Sequence, residues 1–193
     1  MQRSDILQAA AQIFRQKGYH AATMRDIADA VHLQKPSLYH HIDSKQDILL
    51  AILDKALDLL IEDLLQVVDS EIPTEDKLRQ AMRVYTGRLA EDADLAAVLL
   101  LEYRNLEPEL RTRHIARRDR YEALWRQLVR EGIESGEFRE VDEAITTFAL
   151  LGVQNWMIIW YREGGRLSAK ALAEQFCDLF LEGLAKNEEA EEG

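Results

Sequence analysis

The stretch TMRDIADAVHLQKPSLYHHIDSK, residues 23–45, decides the fold of this 193-residue chain. It opens on the capping-box pair Thr23 and Asp26, which predicts that a short helix begins there. Pro36 suits the first position of a helix, so a second short helix is predicted over residues 36–41. Two short helices separated by a tight turn, the second carrying polar and aromatic side chains, are typical of a helix-turn-helix that reads DNA.

The rest of the chain repeats apolar residues at helical spacing. Gly18 falls where a helix C-terminus needs a positive φ, and Ser44 with Asp47 forms a second capping box. The seven further predicted helices cover about Arg3–Lys17, Ile48–Val68, Glu75–Glu91, Asp94–Asn105, Pro108–Ser135, Asp142–Arg162 and Ser168–Lys186. With only 9 Gly and 3 Pro, the chain is predicted to be all-α with about nine helices.

Charge is distributed unevenly along the chain, whose formal net charge is −11. Residues 1–50 carry six Lys and Arg against five Asp and hold four of the five His. The remainder carries 18 basic and 30 acidic residues. Because phosphate binding is driven by local positive charge, we expect any contact with DNA to be confined to the N-terminal part.

Cysteine usage and hydropathy indicate the compartment. Cys177 lies in a helical apolar stripe and is predicted to be a small buried hydrophobe, and one Cys excludes an intrachain disulfide. The N-terminus lacks the apolar segment of a signal peptide, and no stretch reaches the roughly 18 apolar residues that span a bilayer. We therefore expect a cytoplasmic protein without a membrane partner.

The second short helix and its flanks supply donors for phosphates and base edges: Lys35, Ser37, Tyr39, His40 and His41. Leu38 and Ile42, four residues apart, are expected to face inward and hold this helix. Adjacent His40 and His41 point about 100° apart, and no Cys or carboxylate cluster completes a ligand set, so no metal is expected. Protonation of these imidazoles would instead add positive charge beside phosphates.

These motifs resemble the TetR family of transcription regulators. The resemblance rests on Gly18-Tyr19, residues 23–31, residues 36–42 and Ser44-Lys45. It implies that Thr23, Tyr39, His40 and Lys45 grip phosphates and that Arg25, Lys35, Pro36 and Ser37 approach base edges. The family usually has Gly where His32 stands, which affects the turn. Two alternatives stay open: Tyr39 as a packing aromatic under the helix, and Lys45 as a solvated surface lysine.

The C-terminal part is interpreted through side chains that do not suit a plain core. The predicted helix Pro108–Ser135 has a seam of Leu110, His114, Arg117, Tyr121, Leu124 and Leu128. His114 and Arg117 interrupt an otherwise apolar face and suggest the polar mouth of an apolar pocket. The alternative is a satisfied salt bridge between helices, with a residue such as Glu102 or Glu109.

The last two long helices are apolar over a wide girth, which indicates cover by their own domain and by a second subunit. The resemblance implies a homodimer through these helices and a palindromic operator on double-stranded DNA, with half-sites ~34–36 Å apart or slightly more. We expect a helix-turn-helix DNA-binding domain at 1–46, an effector-binding and dimerisation domain at 47–186 and a frayed acidic tail at 187–193.

Scattered positions in residues 103–122 and 160–168 resemble the TetR subgroup that controls fatty-acid, steroid or aromatic-acid degradation and answers to acyl-CoA thioesters. This likeness implies no bound cofactor but an acyl-CoA effector. The candidate ligand residues are Leu99, Tyr103, His114, Arg117, Arg120, Tyr121, Trp125, Phe148, Asn155, Trp156 and Arg162. Of these, Leu99, Tyr103, Trp125, Phe148 and Trp156 would surround the acyl part, and Arg117, Arg120 or Arg162 would pair with CoA phosphates.

The leading interpretation is a repressor that a small-molecule effector releases from its operator. A DNA-binding dimer without effector, or an activator, is the alternative, and a sealed C-terminal core would favour the effectorless version. An all-helical enzyme is remote, because the sequence shows no nucleophile elbow, Gly-rich phosphate loop or HExxH pair.

Overall fold

A computed structural model describes residues 2–40 and 42–184. Its helices are α1 (Arg3–Lys17), α2 (Met24–Ala30), α3 (Lys35–Leu38), α4 (Lys45–Val68), α5 (Thr74–Glu91), α6 (Ala93–Ala97), α7 (Pro108–Glu134), α8 (Glu143–Trp160) and α9 (Ala169–Leu184). A π-helix (Val98–Glu102) and a 3-10 helix (Tyr103–Asn105) follow α6. The all-α prediction is confirmed. His41, the predicted last turn to Lys186 and the tail at 187–193 lie outside the described residues.

Local hydrogen bonds fix the helix starts that the sequence predicts. The Asp26 amide donates to Thr23 Oγ1 at 3.1 Å, and the Thr23 amide donates to the Asp26 carboxylate at 2.9 Å, which closes the capping box. The Asp47 amide donates to Ser44 Oγ at 3.1 Å at the start of α4. Gly18 ends α1 with φ of 78° and donates its amide to the Phe14 carbonyl at 2.8 Å.

Two predicted helices differ from the structure. The second short helix ends at Leu38, and a bond from the His40 amide to the Ser37 carbonyl continues the chain as a tight turn. The predicted continuous helix over 94–105 is wrong, because α6 gives way to a π-helix and then to a 3-10 helix. Pro108 does not account for this break, since a proline restricts the residue directly before it, here Glu107.

The chain divides into two compact units. Unit 1 combines Met1–Leu59 with Asp92–Arg118, and unit 2 combines Leu60–Glu91 with Asp119–Gly193. In unit 1, α1 packs on α2 and α6. In unit 2, α5 packs on α8 and α9. The N-terminal head therefore shares its core with residues 92–118, which the sequence places in the other domain.

Fully buried apolar side chains form the core of each unit. Those of unit 1 include Ile6, Phe14, Ile27, Leu38, Ile48 and Ile52. Those of unit 2 include Leu78, Met82, Trp125, Leu128 and Leu150. Cys177 is buried as expected, and burial raises the pKa of its thiol to about 11. Across residues 2–40 and 42–184, no helix is both long enough and apolar enough to cross a membrane.

Candidate DNA-binding and effector sites

Helices α2 and α3 with their flanking turns present an exposed polar surface, which we call the reading face. It consists of Thr23, Arg25, Lys35, Pro36, Tyr39 and His40. Ser37 lies beside it and is half-buried, whereas Leu38 and Ile42 are buried and hold the short helix from below. Tyr39 is 43% exposed, and the Lys35 ammonium lies 5.9 Å from its ring centroid. The Tyr39 ring is therefore available at the surface.

The start of α2 carries a fixed negative charge. Asp26 accepts hydrogen bonds from the Lys17 ammonium at 2.8 Å and from the Thr23 hydroxyl at 2.9 Å. These bonds, that of Lys17 above all, lower the pKa of Asp26 to about 2. The Thr23 hydroxyl is thus committed to the capping box, while the Arg25 side chain stays 83% exposed and its Nε is 3.8 Å from the Asp29 carboxylate.

Lys45 has a role that the sequence did not indicate. Its ammonium donates to the carbonyls of Tyr19 and Ala22, both at 2.8 Å, and lies 4.4 Å from the Tyr19 ring centroid. These contacts tie the start of α4 to the turn that leads into α2. The lysine is half-buried rather than solvated. A tight turn that exposes two carbonyls cannot be read from residue types, so only the structure finds this contact.

His32 occupies the left-handed region of backbone space with φ of 55°. Among the described residues it is the only non-glycine with a positive φ. This is the turn position where the family pattern has Gly, which reaches such angles without a steric penalty. The departure noted in the sequence is therefore a strained backbone angle between α2 and α3.

A polar cluster in unit 1 surrounds Tyr103, and we call it the Tyr103 cluster. It consists of Tyr103, Arg104, His114 and Arg118. The Tyr103 and His114 ring centroids are 5.9 Å apart, and the Arg118 guanidinium lies 4.5 Å from the Tyr103 ring centroid. Arg104 Nε donates to the Tyr103 hydroxyl at 3.3 Å. Bonds from Arg104 and Arg118 lower the pKa of Tyr103.

His114 is fully buried, and neither ring nitrogen has a hydrogen-bond partner among the described residues. Burial, aided by the positive charges of Arg118 and Arg117, lowers the pKa of His114 to about 4. The ring is therefore neutral at pH 7, with one nitrogen able to donate and the other to accept. A buried polar group with neither bond made is costly, so His114 stands out as a candidate functional side chain.

Arg117 does not continue that cluster. Its guanidinium bonds Asp54 at 2.9 Å and also bonds Asp58, and the neighbouring Arg113 bonds Asp54 at 2.9 Å. All four residues belong to unit 1. The salt-bridge alternative therefore describes Arg117 in this structure, although its partners lie on α4 and not at Glu102 or Glu109.

In unit 2, three aromatic rings pack together. The Tyr85 ring centroid is 5.8 Å from that of Tyr121 and 6.0 Å from that of Trp125. Tyr121 is buried, which raises the pKa of its hydroxyl. A cavity of about 10 Å³ lies beside Tyr85 and Tyr121, lined also by Leu60, Leu64, Ala81 and Val84. It has room for about one water molecule.

Buried polar side chains link α5 to α8 in this unit. The Tyr85 hydroxyl donates to the Asn155 side-chain oxygen, and the Thr86 hydroxyl donates to Gln154 Oε1 at 3.2 Å. Gln154 is fully buried and also donates to the Leu150 carbonyl at 2.9 Å. Sequence reasoning missed Thr86 and Gln154, although a glutamine inside an apolar helix was a usable signal for a buried hydrogen bond.

Helices α8 and α9 carry an exposed apolar surface, which we call the apolar face. Its members are Ile145 (65% exposed), Phe148 (52%), Trp156 (64%), Ile159 (46%), Trp160 (45%) and Leu179 (69%). A groove of about 210 Å³ runs beside Ile145 and Leu179. The opposite side of α8 is buried through Leu150 and Met157. Exposed apolar side chains clustered on one surface are typical of protein–protein contacts.

The remaining predicted ligand residues are dispersed. Leu99 is buried in unit 1, whereas Phe148 and Trp156 belong to the apolar face of unit 2. Arg120 is exposed on α7. Arg162 donates to the Tyr161 carbonyl at 2.8 Å and so caps the end of α8. Within the described residues, no cluster of three or more His, Cys, Asp or Glu side chains could hold a metal ion.

An exposed polar helix-turn-helix joined to a helical domain with an apolar face defines a DNA-binding regulator. Comparison with known proteins gives the family. Residues 6–52 match the family described as bacterial regulatory proteins, tetR family, and residues 71–184 match the tetracyclin repressor-like C-terminal domain. The chain belongs to the TetR family. Family membership makes it a DNA-binding transcription regulator and not an enzyme.

Relatives match over nearly the whole chain. The HTH-type transcriptional repressor KstR2 of Rhodococcus jostii is 32% identical over 187 residues, which cover 95% of this chain and 91% of the relative. The crystal structure of PfmR from Thermus thermophilus has 38% identity and a TM-score of 0.86, covering 94% of this chain and 99% of that one. The structure of AibR with isovaleryl coenzyme A and operator DNA has 29% identity and a TM-score of 0.82, covering 95% and 97%.

Proposed function

We propose that this chain is a homodimeric repressor that an acyl-CoA thioester releases from a palindromic operator in the cytoplasm. The proposed DNA binding is supported by the reading face. Six of the eight predicted contact residues are exposed together there, on α2, α3 and their turns. The effector part is supported by AibR, which was crystallised with isovaleryl coenzyme A and operator DNA.

On DNA, the reading face enters the major groove. Lys35 and Arg25 are exposed and donate to base edges, beside Pro36 and the half-buried Ser37. Tyr39 and His40 contact phosphates, as does the backbone at Thr23, where α2 begins. Lys45 has a positioning role, because its ammonium already donates to two backbone carbonyls.

The dimer forms through the apolar face, because six large side chains there are roughly half exposed or more. Two-fold symmetry then sets the operator, whose half-sites lie ~34–36 Å apart or slightly more. In functional terms we assign DNA reading to residues 1–46, and effector binding with dimerisation to 47–186.

The polar end of the effector binds the Tyr103 cluster. His114 offers a neutral donor and acceptor in a buried position, and Arg104 and Arg118 supply positive charge beside an aromatic ring. This replaces Arg117 and Arg162 as phosphate ligands, because Arg117 pairs with two carboxylates and Arg162 caps its own helix. A CoA thioester brings both phosphates and a carbonyl oxygen, so it suits this cluster better than a free acid does.

The packing of unit 2 favours a second candidate, a dimer that represses without an effector. The cavity beside Tyr85 and Tyr121 has about 10 Å³, so an acyl group can enter there only if the surrounding rings move. The buried His114 in unit 1 is the observation that favours the effector-responsive regulator over this alternative.

Fluorescence anisotropy tests the proposal on a duplex from the chain's own upstream DNA, at fixed salt because phosphate contacts dominate the affinity. Isovaleryl-CoA, octanoyl-CoA and palmitoyl-CoA are compared with the matching free acids. We expect thioesters to weaken operator binding at least fivefold and free acids to have no effect. Tight DNA binding that nothing in this panel weakens would support the effectorless dimer.

Variants of the Tyr103 cluster sharpen the test. Arg118→Gln removes a charge without a large change in shape, and we expect about tenfold weaker thioester binding with unchanged operator affinity. Arg166→Gln, in the exposed turn between α8 and α9, is the matched control. Equal thioester affinity in both variants would place the effector elsewhere.

A further inference from the structure

Gln46, the second residue of α4, makes three hydrogen bonds with one half-buried side chain. Its Nε2 donates to the Tyr19 hydroxyl and to the Asn105 carbonyl, both at 2.9 Å. Its Oε1 accepts from the Glu107 amide at 3.1 Å. All of these groups lie within unit 1. One amide therefore joins the turn after α1 to the segment just before α7.

The first end of this link controls how α2 is placed. Tyr19 is buried and packs edge-on against Phe14, with ring centroids 5.3 Å apart. The neighbouring Lys45 bonds the carbonyls of Tyr19 and Ala22, and the next residue, Thr23, is the N-cap of α2. A shift of Tyr19 therefore moves the start of the helix-turn-helix.

The second end belongs to the 3-10 helix Tyr103–Asn105, whose first residue has its ring centroid 5.9 Å from that of His114. The Asn105 side chain donates to Glu102 at 2.5 Å, which closes the turn on itself. The preceding π-helix Val98–Glu102 changes its hydrogen-bond pattern to that of a 3-10 helix at this point. Short 3-10 stretches often mark functional hinges, and this one connects Tyr103 to Asn105 and Glu107 within five residues of chain.

Two further contacts in unit 1 join α1 to the start of α6. The Arg15 guanidinium bonds the Asp94 carboxylate at 2.9 Å, and Gln8 Nε2 donates to Asp92 at 3.2 Å. Both pairs are exposed, so each contributes little on its own. The Gln46 bonds are half-buried and use one group as donor and acceptor at once, so they carry most of the geometric constraint.

We infer that Gln46 is the residue that couples the Tyr103 cluster to the helix-turn-helix. It acts as a positioning residue: an effector that moves Tyr103 shifts Asn105 and Glu107, and Gln46 transfers that shift to Tyr19 and the start of α2. A glutamine is required because one partner is a carbonyl and another is an amide, so the side chain must donate and accept. The inference rests on the proposed effector site for its physiological trigger, but the coupling itself does not need the effector.

A double-mutant cycle on operator affinity tests the coupling without any ligand. Tyr103→Ala perturbs the far end of the link, and Gln46→Glu keeps the shape of residue 46 but replaces its donor by a charge that repels the Asn105 carbonyl. We expect Tyr103→Ala to change operator affinity at least fivefold in the natural chain and less than twofold in the Gln46→Glu background. Equal effects in both backgrounds, or no effect in either, would overturn the inference.

Gln46→Met repeats the cycle with an apolar side chain of similar shape, and circular dichroism verifies that each variant is folded. Gln66→Ala, at an exposed position of the same helix, is the matched control and is expected to leave the cycle unchanged. With isovaleryl-CoA and octanoyl-CoA, Gln46→Glu is expected to keep thioester affinity within threefold while losing most of the effect on operator binding. If no thioester binds the natural chain, the proposed effector is wrong, and the cycle alone decides the role of Gln46.

Discussion

The reading face and the apolar face are both exposed, yet they are built from opposite chemistry. The reading face consists of Lys, Arg, Tyr, His, Thr and Pro side chains on short helices, with buried Leu38 and Ile42 beneath them. The apolar face consists of Ile, Phe, Trp and Leu on two long helices. The reading face is suited to bind the negative charge of DNA phosphates. The apolar face is suited to bury apolar area against a second subunit.

This difference predicts that DNA binding and dimerisation respond differently to salt. Contacts of the reading face are expected to weaken steeply with salt, because they release counterions from DNA. Contacts of the apolar face are expected to depend on buried area and to change little with salt. In the interior, the polar side chain of His114 has no hydrogen-bond partner among the described residues.

The largest expected effect comes from Trp156→Glu on the apolar face, where Trp156 is 64% exposed. Two-fold symmetry buries the new charge twice, so we expect dimerisation to weaken about 1000-fold, or about 4 kcal/mol. Operator affinity then falls with it, since a monomer covers a single half-site. Analytical ultracentrifugation measures the first effect and fluorescence anisotropy the second.

Ile72→Glu is the control for this variant, because Ile72 is an exposed apolar residue outside the apolar face. It should leave the dimer intact. If Trp156→Glu dimerises with unchanged affinity, the subunits meet elsewhere and the apolar face is not the dimer interface.

The next effect concerns acid stability. The folded pKa of His114, about 4, lies below its ordinary value of about 6.5, so the folded chain resists protonation more than the unfolded chain does. Stability is therefore unaffected above pH 6.5, falls as the pH drops toward 4, and loses about 3 kcal/mol in total through this group. His114→Leu should remove that loss.

Urea unfolding at pH 7 and pH 4.5, at one protein concentration, compares the variant with the natural chain. His20→Leu serves as control, since His20 is exposed. Should the natural chain and His114→Leu lose equal stability on acidification, the imidazole already has a partner that satisfies its charge.

A smaller effect is expected on the reading face. Lys35→Ala removes one exposed donor and should weaken operator binding about tenfold while relaxing discrimination at one base pair. Anisotropy with operators altered at single positions measures both changes, and a salt series on the natural chain gives the reference slope. Arg166→Ala removes a charge from an exposed turn and should change neither quantity. An effect shared by both variants would indicate bulk electrostatics only.

The smallest predicted effect is an increase in the stability of the folded chain. His32→Gly relieves a positive φ of 55° and should stabilise the chain by about 1 kcal/mol, which raises the Tm by a few degrees. Thermal unfolding followed by circular dichroism checks this. His20→Gly, at a position whose φ is not positive, is expected to destabilise instead. A drop in Tm for His32→Gly would mean that the imidazole makes a contact worth more than the strain.

The sequence predicted the elements whose cause is local. The capping box of Thr23, the bond from the Asp47 amide to the Ser44 hydroxyl and the positive φ of Gly18 depend on residues a few positions apart, and the structure contains all three. The break at residues 98–105 was missed, because an apolar run gives the helical period but not where the hydrogen-bond pattern changes.

The site was harder to predict, because its decisive contacts join distant parts of the chain. Periodicity showed that Phe148 and Trp156 are apolar positions of a helix, but it did not show which side their own domain leaves uncovered. Arg117 stood out as a charge in an apolar seam, yet its partners Asp54 and Asp58 are about sixty positions away. The assignments of individual DNA and effector contacts remain predictions.

The interleaved composition of unit 1 has a consequence for building chimeric sensors. Exchanging DNA heads between relatives at a junction near residue 46 treats the head as a detachable module. Here Gln8, Arg15 and Gln46 bond residues 92–107, so a transplanted head would arrive without its own partners. A graft that carries residues 92–118 along with 1–59 keeps those bonds together, and because it includes the Tyr103 cluster it transfers operator choice and the proposed polar end of the effector site as one piece.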